Sequence, residues 1–201
     1  MIAQPDPQVV GQRALEVHTL LHQRDYTEEV DRLTAAIRST PTCWATFTGF
    51  TLVARLDLAT DTEPLLREAL RLIVIRSVVA ELTGDDNTAA RFVGPAPVES
   101  MIHAVLAQHN SCDRLGQQLD LWFLSHHSST AHAGYRPGDY LHHCYYTAWG
   151  QPDPRYWLDP DETRRRQNIL AALYASIGIH DGGTRHHIRF DPTLPLSMAA
   201  L

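Results

Sequence analysis

Apolar positions recur at helical spacing along most of the chain. Val10, Ala14, Val17 and Leu21 share one face at a 3.6-residue period, which predicts an amphipathic helix over Val9 to Arg24. A second helix is predicted over Thr27 to Ser39. Glu28, Glu29 and Asp31 lie in its first turn, where the positive end of the helix dipole favours acidic side chains. Pro41 opens a third pattern through Trp44, Phe47, Phe50, Leu52 and Val53, interrupted by threonines and Gly49. Asp61 or Thr62 caps the next helix, with Pro64 near its first turn. Leu65 to Leu82 is apolar almost all round, the pattern of a central buried helix. Its β-branched run Ile73, Val74, Ile75, Val78, Val79 also suits a strand, but its length and lack of internal Gly or Pro favour helix.

The second half continues the pattern. Gly84 to Pro97 reads as a loop, Pro97 to His109 and Asp113 to His126 as helices, and Ser128 to Gly138 as a loop. Asp139 to Trp149 is helical, and Gly150 to Asp159 is a proline-bearing connection. Asp159-Pro160 is an N-cap followed by N1 of a helix reaching Ile177, with Ile169, Leu173 and Ile177 in line and Gly178 at its C-terminal turn. The expected fold is mainly α. A single helical domain of about seven to eight helices spans residues 1–178, and an irregular C-terminal tail spans 179–201. No internal repeat is visible.

Composition then removes whole classes of function. The chain has 201 residues, and all 17 of its basic residues are arginine. Without lysine there is no pyridoxal Schiff base, no lysine adduct, no P-loop NTPase and no protein kinase. A formal charge of −6 gives no global basic field for nucleic acid. The one basic run, Arg164 to Arg166, sits beside Asp159, Asp161 and Glu162. Cys43, Cys112 and Cys144 are odd in number and widely spaced, which argues against a disulfide framework or a zinc ribbon. No signal peptide and no apolar run of membrane-spanning length is read, so a cytoplasmic protein without a membrane partner is expected.

Histidine carries the candidate chemistry. His18 and His22 are stacked at i, i+4 on the first helix, flanking its apolar stripe. His109 falls at the end of the stripe Val98, Ile102, Val105, with His103 at its margin. His126 ends the stripe Leu115, Leu119, Trp122. His142 and His143, about 100° apart on a helix, lie among Tyr140, Tyr145, Tyr146 and Trp149. Neutral imidazoles bind zinc, iron or copper, so His103, His109, His126 and His142 form the candidate metal set, with His142 or His143 as a proton carrier. The competing reading is structural, with histidines bonded to carbonyls at helix ends. No H-E-x-x-H, G-x-S-x-G or G-x-G-x-x-G motif is present. The aromatic group from Tyr135 to Trp157 reads as either core or the wall of a small-molecule pocket. Cys144 reads as an inert, partly buried thiol.

The segments Pro97-Val98-Glu99-Ser100-Met101-Ile102-His103-Ala104, Leu115-Gly116 and Phe123-Leu124-Ser125-His126-His127 resemble a group of bacterial helical proteins described as glycine-rich domain-containing. The resemblance covers residues 65–127. It implies a helical fold, with His103 and His126 or His127 as signature histidines, and no reaction. Three functions follow from these readings. The first is a transition-metal protein, enzymatic if the metal activates water or dioxygen. The second is a non-catalytic interaction module, a homo-oligomer or an adaptor, motivated by the apolar helix Leu65 to Leu82 and the aromatic group. The third is a haem-binding oxygenase with one axial histidine.

Overall fold

A computed structural model describes residues 3–39, 56–86, 88–119, 134–181 and 188–190. Seven helices lie among them: α1 (Pro7–Leu21), α2 (Arg24–Ser39), α3 (Leu58–Leu82), α4 (Ala96–Leu106), α5 (His109–Leu119), α6 (Tyr140–Trp149) and α7 (Pro160–Ser176). The fold is mainly α. Within the tail, β1 (Ile179–Asp181) and β2 (Ile188–Phe190) pair antiparallel, with His180 opposite Arg189. No helix of the described residues is long and apolar enough to cross a membrane. The helix predicted from Pro41 and the end of that predicted to His126 lie outside the described residues.

Short polar side chains set the helix starts by accepting from amides that have no intrahelical partner. Asp6 accepts from Gln8 N, Asp139 from His142 N, and Asp159 from Asp161 N and Glu162 N, each just before its helix. The sequence placed the start of α3 at Asp61 or Thr62, but Asp57 holds it by accepting from Ala59 N and Thr60 N. Asp61 instead reaches back to accept the Asp57 N–H at 2.6 Å, so Pro64 falls in the second turn.

The β-branched run of α3 is helical and fully covered: every residue from Leu72 to Ala80 is buried. This helix is the centre of the molecule. It packs chiefly on α4 and α1, while α1 packs most extensively on α6. Gly11 permits that last contact. A Cβ there would stand 2.5 Å from Thr147 Cβ and 2.6 Å from the Cys144 carbonyl oxygen. A buried ion pair joins α3 to α4, with Arg76 bonded to Glu99 and to the Phe92 carbonyl at 2.8 Å. Glu99 also accepts the Gly94 N–H at 2.6 Å, which ties down the preceding loop.

The apolar run of α3 is spent inside the core, and only Leu82 at its end is an exposed large apolar residue. The stripe on α7 lies outside the core, with Ile169, Leu173 and Ile177 exposed by 43%, 54% and 47% and only Leu170 of that helix buried.

Candidate functional site

The polar groups of the interior converge where α1, α3 and α6 meet. Helical spacing puts Glu68 and Arg71 on one face of α3, Tyr145 and Trp149 on one face of α6, and His18 and His22 on one face of α1. Gly150, at φ +78, ends α6 in a backbone conformation that side-chain-bearing residues rarely adopt. The following connection then folds back and buries Tyr156, Trp157 and Leu158. Asp61 fastens it: Arg155 Nε and Nη2 donate to its carboxylate at 2.7 and 2.6 Å, and Tyr156 Oη donates at 2.7 Å. The Arg155 bonds are the main reason that Asp61 is held down to about 2.

Trp157, so placed, completes a buried network around Glu68. Glu68 Oε2 accepts from Tyr145 Oη at 2.6 Å and from Trp157 Nε1 at 2.8 Å, and Oε1 accepts from Arg71 Nη1 at 2.9 Å. Arg71 Nη1 also donates to Tyr145 Oη at 2.6 Å. Burial raises the Tyr145 phenol above its ordinary range, so it stays a donor. The carboxylate is well satisfied, as a buried charge must be.

One side of this network is not satisfied. The Arg71 guanidinium lies over the Trp149 ring, 5.1 Å from its centroid. Arg71 Nε and Trp149 Nε1 are both buried and have no hydrogen-bond partner among the described residues. Each such donor costs about 1–3 kcal/mol when left unpaired. His18 stands against the same ring, edge-on at 5.3 Å, with His22 a further 4.9 Å away. His18 is buried, and its pKa is lowered to about 4, first by desolvation and then by the positive charges of Arg71, His22 and Arg67. Two unpaired donors and a neutral imidazole therefore share one corner.

The histidines singled out in the sequence are distributed differently. His103 and His109 are exposed. α4 stops at Leu106, so His109 opens α5 and does not end the α4 stripe. The polar run Gln108 to Ser111 breaks the helix, and the Gln108 carbonyl accepts from Ser111 N and Cys112 N to start the next. His142 is half-buried, with Nδ1 2.8 Å from Tyr135 Oη and its ring stacked on Tyr146. His143 is exposed, its ring 6.0 Å away at 84°, the divergence expected of adjacent helical positions. His126 lies outside the described residues. Among the described residues no group of three or more His, Cys, Asp or Glu side chains could hold a metal. His103, His109 and His142 are thus not brought together.

Cys144, expected to be partly buried, is fully buried, and burial pushes its thiol pKa up to about 12. Tyr135, Tyr145, Tyr156 and Trp157 are buried, while Tyr146 is 55% exposed, so the aromatic group is mostly core and partly the wall of the polar corner. The sequence reading missed Glu68 and Arg71, and took Asp61 only as a helix cap. The signal was present as charges inside a helix otherwise apolar all round, because such charges must find partners.

No family model, curated protein or solved structure matches the chain. The resemblance over residues 65–127 rests on its motif alone.

Proposed function

We propose that this protein binds a small molecule in the corner between α1, α3 and α6, with His18, Arg71 and Trp149 as the contacting residues. One observation carries the reading: Arg71 Nε and Trp149 Nε1, both buried in a guanidinium–indole pair, lack an acceptor among the described residues. Neighbouring donors left unpaired in a helical core are costly unless an acceptor from outside uses them. The Trp149 and His18 rings supply the apolar wall such sites need. The transition-metal and haem readings of the sequence gain no support of this kind from the described histidines.

A paired comparison tests the proposal. Trp149→Phe and Trp157→Phe remove the same atoms, but among the described residues only the Trp157 N–H has an internal acceptor, Glu68. Trp157→Phe is expected to cost about 1.5–3 kcal/mol more in chemical denaturation, the worth of a hydrogen bond to a charged group. Equal losses would show that the Trp149 N–H is internally satisfied, and the reading would fall.

A further inference from the structure

We propose that the ligand is a small organic carboxylate, gripped by the Nε/Nη2 edge of Arg71 and by the Trp149 indole N–H; the proposal rests on reading this corner as a ligand site. The division of labour on the guanidinium points to this class. Nη1 makes both of the internal bonds, to Glu68 and to Tyr145. Nε is buried without a partner, and no internal bond from Nη2 is found among the described residues. What remains is the Nε/Nη2 edge, two parallel N–H groups spaced to meet the two oxygens of one carboxylate. The Trp149 N–H, on the ring that the guanidinium overlies, is a third donor, buried and without a partner among the described residues.

Charge selects a single negative group. The groups facing the corner are Arg67, Glu68 and Arg71 from α3, His18 and His22 from α1, and Tyr145 from α6. Glu68 already offsets one positive charge, so a monoanion is balanced where a phosphate dianion would carry excess charge into a half-buried site. The Trp149 and His18 rings suit an apolar or aromatic body attached to the carboxylate. His18 makes the binding visible. A carboxylate beside it opposes the desolvation and the neighbouring cations that keep the imidazole neutral, so occupancy must raise its pKa.

The test uses the full chain, labelled with ¹⁵N and titrated separately with benzoate, benzamide and inorganic phosphate. Benzoate is expected to bind in the millimolar range usual for a fragment of its size, to shift the Trp149 indole N–H downfield and to raise the His18 pKa by at least half a unit. Benzamide, of the same shape without the charge, is expected to bind at least tenfold more weakly. Trp149→Phe is expected to weaken benzoate binding about tenfold while the variant remains folded. Equal binding of benzamide and benzoate at these two residues overturns the carboxylate and leaves the ligand site standing. Preferential binding of phosphate does the same. No benzoate response at either residue overturns the carboxylate, and if Trp149→Phe and Trp157→Phe also cost the same stability, the ligand site falls with it.

Discussion

His18 has the clearest solution signature of any single side chain. Its pKa is about 4 in the folded protein against an ordinary 6.5, so the unfolded chain takes up a proton that the folded one refuses. The sign follows from linkage: the stabilisation is complete above pH 6.5 and is lost as pH falls from there to about 4. The loss at the low end is roughly 3 kcal/mol at 1.36 kcal/mol per unit. Asp61 and Glu162, both held down to about 2, lose their contribution only from their ordinary 3.8 and 4.5 downward, so they enter at the acid end of this window. Urea midpoints measured between pH 7 and pH 4 should therefore fall steeply for the wild type and more shallowly for His18→Gln. An unchanged slope in the variant would assign the effect elsewhere. At this scale the sequence offered part of the site. The His18–His22 pair was visible from its spacing, but its burial was not, because that depends on Trp149 arriving from α6. Glu68 and Arg71 were hidden because the apolar majority of α3 dominates its pattern, and their partners Tyr145 and Trp157 are distant in the chain.

Helices were legible where a local device defines them. Asp159-Pro160 and Asp139 mark their starts in the chain itself, because the cap and the amides it satisfies are sequence neighbours. α3 was misplaced at its start because Asp57 and Asp61 both qualify, and only the structure shows Asp57 taking the two amides while Asp61 turns to Arg155. The α7 stripe shows the opposite limit. Periodicity gives a helix an apolar side without saying whether another element comes to cover it, and Ile169, Leu173 and Ile177 stay exposed. The α1–α6 contact was not legible at all, since nothing nearby in sequence distinguishes Gly11 from a poor helix former. Gly11→Ala tests it. Helix propensity alone would stabilise by about 1 kcal/mol, whereas overpacking costs about 1–3 kcal/mol. A Cβ 2.6 Å from a backbone oxygen cannot be relieved by rotating a side chain, so net destabilisation is expected in thermal denaturation. A raised melting temperature would mean that the helices separate freely.

The whole molecule is organised around the charges of α3. Asp61 at its start fastens the Arg155–Tyr156 connection, Glu68 binds Tyr145 and Trp157, and Arg76 near its end holds Glu99 and the Phe92 carbonyl. A helix whose apolar surface serves every neighbour specifies none of them, and these charges select which neighbour lies at each level. The mainly helical fold was readable from periodicity, but this arrangement was not, since partners such as Asp61 and Arg155 are far apart in the chain. Arg76→Met alone strands Glu99 and should cost about 3–5 kcal/mol. The double change Arg76→Met with Glu99→Leu should recover more than half of that loss in equilibrium unfolding. A double variant no better than the single would show that the pair contributes more than its own neutralisation.

The close crossing at Gly11 has a further consequence, for kinetics. Cys144 sits under that crossing, its carbonyl against Gly11 and its thiol buried and protonated. An alkylating reagent reaches a sulfur so covered only when the surrounding packing opens. The thiol is in this sense a clock, and its rate of modification records how often the packing around it opens.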